Sequence, residues 1–402
     1  MQKRRNFLIA AATALTMVGA AGGIGQAVAE EDTINWSVHV DLTGPASYGG
    51  IPQADGFKSY VEWKNNNGGI RGRKIDLQIH DTTFKPDVAV ATYKKALAGG
   101  RVDYVFGDST TMIQAISPEN NATQKVLTGG GSFASELADK ENYPFYFVAG
   151  ATYGNQLELL VDYVAQSAGK DAKLAIMHSS ISLGRDGIEQ AKARAEKHGI
   201  EVVLVQQTKF VETDVSAFAL AIRQAQPTHV LVHGYSFAVW PEVIRLVRDY
   251  GMDDIEFMGS MWQNEYEKVL ELTDIAEGLV GINVFNVNSK TSDGEMMKVI
   301  NDIHEARDPD FSGFVRLGFL DGWMNAMMAT KAFEMVIDEG KETTGVNLAA
   351  AMASIKDWDT GGIVGAPVTM TGQQVGMGQV IRWGQVDGNW TPVPVTDWMK
   401  VN

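Results

Sequence analysis

The fold of this chain is decided by residues 35–81, which read NWSVHVDLTGPASYGGIPQADGFKSYVEWKNNNGGIRGRKIDLQIHD. A β-like run ends at Val40 and passes into a turn that contains glycine and proline. A stretch of helix length follows, stops at Gly68-Gly69, and leads into a second strand from Ile75. This order predicts a strand–loop–helix–strand unit, whose first loop lies where a ligand meets the carboxyl end of a strand. That loop contains Thr43, Gly44, Pro45, Ser47, Tyr48 and Gly49.

Two motifs in this segment resemble the opening of type I periplasmic binding proteins, the branched-chain amino-acid and amide group. The first is S/T-G-P-x-x-x-x-G, which begins at Thr43, and the second is N-x-x-G-G-I-x-G-x-x-I/L, which begins at Asn65. The separation of the two motifs also fits this family. The resemblance implies a solute receptor of an ABC importer, whose two lobes close on a small ligand by a hinge motion.

The first 29 residues have the pattern of an export signal. A basic stretch at 3–5 precedes an apolar run at 7–25, and an A-x-A site at 27–29 predicts cleavage after Ala29. A membrane anchor is the alternative, but this run is diluted by small and polar residues. Residues 4–8 also fit the twin-arginine pattern R-R-x-F-L, so both export routes stay open.

The composition of the chain limits the compartments in which it is expected to act and the partners it is expected to bind. The chain has no cysteine, which excludes disulfides, thiol catalysis and a lipid-modified cysteine at the mature N-terminus. An exported protein without an anchor is expected to be soluble in the periplasm of a Gram-negative cell. Removing the three signal cations lowers the formal net charge from −15 to −18. Such an acidic chain is a poor binder of nucleic acid or anionic membranes.

Beyond the opening unit, strand and helix patterns alternate along the chain. This alternation predicts an α/β protein with parallel sheets covered on both faces, one sheet before about residue 149 and one after. The tail departs from this order of alternating strands and helices. It has a long apolar helix at 314–338, a shorter helix at 346–355, and segments of alternating polar and apolar residues that indicate antiparallel strands. The predicted later strands are 104–106, 125–128, 146–148, 174–177, 202–206, 229–232, 256–258, 366–370 and 379–385, and the predicted later helices include 112–124, 155–167, 187–198, 215–226 and 238–250.

The family resemblance implies how these elements are shared between lobes. It predicts two doubly wound parallel-sheet lobes joined by a three-strand hinge. The N-terminal lobe would comprise 30–149 plus 286–361, and the C-terminal lobe 150–285 plus 362–402. The hinge crossings would lie at 149–152, 283–286 and 361–365.

Candidate ligand contacts on the first lobe lie at the ends of predicted strands. The ring of Tyr48 is placed to cover an apolar ligand, although a loop aromatic at the surface is the alternative. Ser109, Thr110 and Thr111 open a helix, and hydroxyls with free amides at a helix N-terminus suit an anionic group. Simple N-capping explains the same residues. In the family a short Ser/Thr run here binds the ligand carboxylate.

A third loop, at 128–132, has three successive glycines followed by a hydroxyl residue. Glycines allow a ligand to approach bare backbone amides, although a flexible turn is the alternative. Gly130, Gly131 and Ser132 best match the family residues that contact the ligand by amide and hydroxyl groups.

On the opposite lobe this chain departs from the family. Leucine-type members place a glutamate here that pairs with the ligand's ammonium, whereas this chain has Met261 and Trp262. A buried ammonium without a counter-charge is costly. Either Asp108 or Glu265 substitutes, or the ligand lacks an ammonium and Trp262 offers a broad apolar or cation–π face. The missing acid favours the second explanation.

Three further positions follow from the resemblance. Tyr235 matches a family tyrosine of the cleft, whereas Leu183 stands where a tyrosine is common. Phe314 and Arg316 lie near a third cleft position, where the arginine is suited to a second anionic group. Helix packing and a surface charge are the alternatives for these two residues.

The predicted function is therefore capture of a small carboxylate: a branched or aromatic amino acid, or an aromatic or aliphatic acid without the amine. The partners would be this ligand and a membrane permease, and the receptor would act as a monomer without a cofactor or metal. His229 and His233 are four apart on a predicted strand, about 13 Å, which is too far to share one metal. No catalytic motif accompanies them in the mature chain. A ligand sensor on the same fold and a hydrolase or lyase remain as alternatives.

Overall fold

The computed structural model describes residues 33–400 except Ser236 and Ala238. The predicted export signal and its cleavage site lie outside the described residues. Within the described part, no helix has the length and apolar character needed to span a membrane.

The first sheet has four parallel strands in the order β2-β1-β3-β4. Its central strand β1 has buried residues on both faces, such as Trp36 and Val38 on one and Ser37 and His39 on the other. Burial on both faces is typical of a parallel sheet covered by helices. The elements of this part are β1 (Thr33–Val40), α1 (Ser47–Asn66), β2 (Lys74–Asp81), α2 (Pro86–Gly99), β3 (Tyr104–Gly107), α3 (Thr110–Glu119) and β4 (Leu127–Gly130).

The second sheet continues from α4 (Tyr153–Ser167) and has the order β11-β10-β9-β8-β7-β5-β6. Strands β5 to β9 pair in parallel, and β9, β10 and β11 pair antiparallel. The short β12 pairs with β10. The elements are β5 (Lys173–Ser179), α5 (Ser182–Arg185), α6 (Ile188–His198), β6 (Glu201–Thr208), α7 (Ser216–Ala225), β7 (His229–His233), α8 (Trp240–Asp249), β8 (Glu256–Gly259), α9 (Tyr266–Leu270), β9 (Val280–Asn283), α10 (Glu295–Arg307), α11 (Leu317–Asp338), α12 (Gly345–Ala353), β10 (Met377–Val386), β11 (Asn389–Pro394) and β12 (Met399–Lys400).

Helices cover both faces of this second sheet. In β5, Leu174 and Ile176 belong to one buried cluster together with residues of α4 and α6. The intervening Ala175 and Met177 belong to a different cluster, formed with α7 and α8. Alternate residues of a strand point to opposite faces, so the two clusters lie on the two sides of the sheet. The predicted α/β class with doubly wound parallel sheets is therefore confirmed.

Parts of the tail prediction are confirmed and parts are wrong. The antiparallel strand predicted at 379–385 is present as β10. The strands predicted at 146–148 and 366–370 are absent from the described structure, where only isolated bridges form. Pro367 removes a ladder donor from the second segment. In the first, Tyr146 bridges to Thr128 but Val148 bridges to Gln374, so no pairing continues.

Two helix bounds also differ from the predictions. The helix predicted at 112–124 ends as α3 at Glu119, and a wider turn with π-type hydrogen bonding follows over Asn120–Gln124. Pro118 lies just before this change and lacks the backbone donor of a regular helix. The long apolar helix begins at Leu317, because the segment before it is extended at Arg316.

Glycines bring α1 and α11 unusually close together. A Cβ atom on Gly56 would lie 2.2 Å from the carbonyl oxygen of Phe319, and one on Gly322 would lie 2.3 Å from that of Gln53. Backbone atoms cannot yield as a flexible side chain can, so neither site has room for a methyl group. This contact fixes α11, and the segment that precedes it, against the start of α1.

We expect Gly56→Ala to lower the free energy of unfolding by about 1–3 kcal/mol, because the added methyl group overpacks this helix contact. Denaturant unfolding of the two proteins measures the change. Gly99→Ala is the matched control, because Gly99 ends α2 and a methyl group added there would have no atom within 4 Å. An equal effect of both substitutions would contradict the close-packing argument.

Candidate ligand-binding site

A cavity of about 270 Å³ lies between the strand ends of the two sheets. Loops after β1, β2, β3 and β4 line it from the first sheet, and loops after β5, β6 and β8 line it from the second. Lining residues from the first side include Asp41, Tyr48, Gln53, Phe84, Asp108, Ser109, Thr110, Thr111 and Gly131, and those from the second include Ile181, Leu183, Phe210 and Trp262, with Tyr153 at the start of α4.

Asp41 shapes the loop that carries Tyr48. Its two carboxylate oxygens accept hydrogen bonds from the backbone N–H groups of Gly44 (2.5 Å) and Ala46 (2.8 Å). A Cβ atom on Gly50 would lie 2.0 Å from the carbonyl oxygen of Asp41, so the first turn of α1 packs directly on the strand end. The loop is thereby held in one conformation, with Tyr48 at the cavity wall.

The N-terminus of α3 forms a second part of the wall. The hydroxyl of Ser109 caps the helix by accepting from the N–H of Met112 at 3.3 Å. The backbone N–H groups of Thr110 and Thr111 have no acceptor among the described residues. Free amides and the helix dipole together favour an anionic group at this place.

The backbone amides of the glycine segment at the end of β4 are hydrogen-bonded to other segments of the fold. The N–H of Gly130 donates to Asn325 at 3.2 Å, and the N–H of Gly131 donates to the carbonyl of Gly107 at 3.0 Å. The hydroxyl of Ser132 is buried and paired with that of Thr110 at 2.7 Å. Gly131 lines the cavity, while Gly130 and Ser132 lie outside the lining set and support Gly131 and α3.

The opposite wall is built around Trp262. Its indole N–H donates to the Tyr153 hydroxyl at 3.0 Å, and that hydroxyl donates to the carbonyl of Gly131 at 3.3 Å. This chain of hydrogen bonds ties the wall of the second sheet to the glycine loop of the first. Met261 is fully buried outside the lining set, with its N–H donating to Gln156 at 3.1 Å.

Besides Gly130, Ser132 and Met261, two more of the predicted contacts lie away from the cavity lining. Tyr235 is buried in a core cluster of the second sheet, where its hydroxyl donates to the carbonyl of His178 at 2.7 Å. Phe314 stacks on Tyr266 with ring centroids 4.3 Å apart. The structure thus brings together Tyr48, Ser109, Thr110, Thr111, Gly131 and Trp262 around one cavity, but not Gly130, Ser132, Tyr235, Met261 or Phe314.

Sequence reasoning missed an aromatic pair at the rim. Phe84 follows β2, Phe210 follows β6, and their rings stack on each other with centroids 5.2 Å apart in the cavity wall. Phe84 has a φ of 54°, a left-handed conformation that is strained for a non-glycine residue and is often found at ligand sites. The sequence did contain a signal for this pair, because both residues lie within three positions of a strand's carboxyl end, where ligand contacts are expected.

The two acids considered as substitutes for the missing glutamate have different surroundings. Burial raises the pKa of Asp108 to about 7, although the hydroxyl of Thr82 donates to its carboxylate. Burial also raises the pKa of Glu265 to about 7, against the opposing effect of Arg316 at 3.3 Å. Asp108 lines the cavity, whereas Glu265 is buried outside the lining set.

No cluster of three or more metal-ligating side chains is present within the described ranges. The site is a small cavity with five aromatic side chains in its wall and with hydroxyls and free amides at one end. A ligand-sized cavity between the strand ends of two α/β sheets defines this molecule as a protein of the solute-binding class.

The sequence model of the periplasmic binding protein family matches residues 33–389, and the chain belongs to this family of substrate-binding proteins. A Leu/Ile/Val-binding protein homolog of Brucella melitensis is 28% identical over 62% of this chain and 67% of its own length. A branched-chain amino-acid ABC transporter structure from Thermus thermophilus with bound valine has a TM-score of 0.80 and 19% identity, covering 92% of this chain and 96% of the other. An ABC-transporter solute-binding protein from Rhodopseudomonas palustris, in complex with 3,4-dihydroxybenzoic acid, has a TM-score of 0.75 and 19% identity, covering 92% and 98%.

Proposed function

We propose that this protein is the solute receptor of an ABC uptake transporter and captures a small carboxylate-bearing ligand between two closing lobes. The enclosed cavity carries this proposal, because both sheets contribute to its wall. The names of the similar proteins support it, since they refer to Leu/Ile/Val binding and to ABC-transporter solute binding.

The two lobes correspond to the two sheets. The N-terminal lobe comprises 30–149 plus 286–361, and the C-terminal lobe comprises 150–285 plus 362–402. The strand topology supports this division, because the second sheet begins after the first is complete and takes up β10 and β11 from the end of the chain. The hinge lies at 149–152, 283–286 and 361–365.

Closure brings groups from the two lobes into direct contact. Phe84 stacks on Phe210, and the side chain and backbone N–H of Ser135 both donate to Asp186 at 2.9 Å. A ligand that contacts both walls favours the closed state by its differential affinity for that state. The closed receptor then delivers the ligand to a membrane permease, and no bond of the ligand is made or broken.

The ligand carboxylate binds at the N-terminus of α3. The free amides of Thr110 and Thr111, the hydroxyls of this segment and the positive end of the helix dipole support this assignment. The cavity, at about 270 Å³, is just below the usual range of about 300–1,000 Å³ for small-molecule pockets. Both a branched or aromatic amino acid and an aromatic or aliphatic acid belong to this size class.

The protein acts in the periplasm as a monomer, after removal of its export signal at Ala29. The family supports this location, because its members are periplasmic binding proteins. The acidic composition fits a partner other than nucleic acid or an anionic membrane.

Thermal unfolding of the purified protein, with a panel of amino acids, amides and carboxylic acids, tests the receptor assignment. A ligand that binds the folded state at 100 times its Kd adds about 2.7 kcal/mol of stability and raises the Tm. At least one panel member should raise the Tm without being consumed. No shift across the whole panel would refute the assignment, and turnover of the bound compound would favour a hydrolase or lyase.

A further inference from the structure

A fully buried carboxylate lies outside the cavity lining, where segments of the two sheets meet. Glu265 has no exposed surface and follows β8 of the second sheet. Its segment is tied to that sheet, because the side-chain N–H of the preceding Asn264 donates to the side-chain oxygen of Asn283, on β9, at 2.8 Å. The second sheet therefore determines where the charge of Glu265 lies.

The groups that compensate this charge belong to the side of the first sheet. The Nε atom of Arg316 lies 3.3 Å from Oε1 of Glu265, and the N–H of Gly318 donates to Oε2 at 3.4 Å. Gly318 is the second residue of α11, so its N–H has no partner within the helix, and the helix dipole favours a carboxylate there. A Cβ atom on Gly318 would lie 2.5 Å from the carbonyl oxygen of Gly49, so α11 is packed tightly on α1. The ion pair thus joins the two sides of the molecule.

Two neighbouring contacts extend this junction. The ring of Tyr266, next to Glu265, stacks on Phe314, two residues before Arg316, with centroids 4.3 Å apart. The Nη2 atom of Arg316 also donates to the backbone carbonyl of Tyr48 at 2.7 Å. Because Tyr48 lines the cavity, Arg316 connects the ion pair to the ligand-binding wall.

The ion pair can form only when the two sides lie together. If they separate, water hydrates the charges of Glu265 and Arg316. In the joined arrangement Glu265 loses that hydration, and only its partners offset the cost. Glu267 also lies 3.2 Å from Arg316, but it carries the same charge as Glu265 and is 56% exposed, so it is no substitute for the arginine. Loss of Arg316 would therefore penalise the closed arrangement and leave the open one unaffected.

We propose that Glu265 and Arg316 form a clasp between the two lobes, which holds the receptor closed through protein contacts and positions Tyr48 for the ligand. This inference rests on the proposed receptor function and its division into two lobes. Neither residue lines the cavity, so both are positioning residues that act through closure. The ligand-free receptor therefore populates the closed form, and the apparent Kd of a ligand falls as that population rises.

A pair of spin labels measures the closed population without any ligand. The chain has no cysteine, so Lys85→Cys and Lys209→Cys create the two labelling sites. Both side chains are exposed and adjoin Phe84 and Phe210, whose rings stack on each other. The labelled, ligand-free protein should show dipolar broadening in its electron paramagnetic resonance spectrum. Arg316→Ala should lower the ratio of closed to open protein about 10- to 100-fold, because it leaves a buried carboxylate without its cation.

Further variants in the labelled protein separate the clasp from a general loss of structure. Arg316→Ala combined with Glu265→Gln should restore most of the wild-type ratio, because the second change removes the unpaired charge. Arg307→Ala is the matched control, since Arg307 pairs with Asp55 at 2.9 Å within one lobe, and it should leave the ratio unchanged. If Arg316→Ala does not fold, Arg316→Lys replaces it. Its single ammonium lacks the fork that binds both Glu265 and the carbonyl of Tyr48, so the ratio should still fall, but by less.

Three results would each refute the clasp. The first is the absence of broadening in the ligand-free wild-type protein, and the second is a wild-type ratio in the folded Arg316 variant. The third is a double variant that opens as much as Arg316→Ala. The receptor function is tested independently by the thermal panel, so a compound that raises the Tm would leave that function standing even if the clasp fails.

Discussion

Replacing Trp262 with alanine is expected to raise the Kd of a bound ligand by about 100-fold, because truncating a buried aromatic residue that anchors a ligand costs about 2–4 kcal/mol of binding free energy. Trp262 is 8% exposed and lines the cavity, where its ring packs close to Gly49 across the two sheets. Its indole N–H also donates to Tyr153. The substitution therefore removes both the apolar surface that a ligand covers and a contact that favours closure.

Titration calorimetry with the best ligand of the thermal panel measures this loss. Trp262→Phe keeps an aromatic face but removes the N–H donor to Tyr153, so its effect should be clearly smaller. Trp390→Ala is the control, since Trp390 lies on β11 at the edge of the second sheet, away from the cavity. An unchanged Kd for Trp262→Ala would show that the ligand does not contact this wall.

The fold was predictable where the pattern is local. The opening unit between Val40 and Ile75 combines a strand, a helix and glycine turns whose order allows one arrangement, and the structure confirms it. The segment at 366–370 has the same alternating pattern as 379–385, yet Pro367 and the lack of a continuous partner leave it as an isolated bridge, whereas 379–385 forms part of β10. Strand formation depends on a partner strand, which the local sequence does not reveal.

The site was only partly predictable for a related reason. The strand-end rule places Tyr48, Thr111 and Trp262 at the cavity, because each follows a strand's carboxyl end. The same rule assigns Gly131 a free amide, but in the structure that amide bonds to the carbonyl of Gly107. Hydrogen bonds between distant segments depend on the whole fold, and they decide which groups remain free for a ligand.

Contacts between distant segments also affect the choice between ligand classes, as the glutamate missing from the second lobe shows. From sequence, Met261 and Trp262 favour a ligand without an ammonium. The structure adds that Asp108 lines the same cavity from the other sheet. An acid from any segment that lies near the ligand can act as its counter-charge. The absence of an acid at residues 261–262 therefore does not exclude one elsewhere in the sequence.

Replacing Arg316 with alanine is expected to lower the free energy of unfolding, by about 1.4 kcal/mol more at pH 8 than at pH 5, because it removes the cationic partner of a buried carboxylate. Glu265 is fully buried after β8, and Arg316, just before α11, is 3.3 Å from its Oε1. Arg316 also donates to the backbone carbonyl of Tyr48 at 2.7 Å. This one side chain therefore joins the second sheet to α11 and to the cavity loop.

The effect of Arg316→Ala should depend on pH in a defined direction. Burial raises the pKa of Glu265 from 4.5 to about 7, so the folded state holds a proton that the unfolded state has lost between these values. This group therefore makes stability fall as the pH rises through that window, by up to about 1.4 kcal/mol per pH unit. Without Arg316 the pKa rises further, so the extra loss of stability caused by the substitution should be small near pH 5 and should grow as the pH rises from 7 to 8.

Denaturant unfolding at pH 5 and pH 8 measures this dependence. Arg316→Ala combined with Glu265→Gln should recover much of the stability at pH 8, because the second change removes the unpaired charge. Arg307→Ala is the control, since Arg307 pairs with Asp55 at 2.9 Å in an exposed ion pair, which is worth about 0–1 kcal/mol. An equal loss for Arg316→Ala at both pH values would mean that its backbone contact with Tyr48 matters more than its pairing with Glu265.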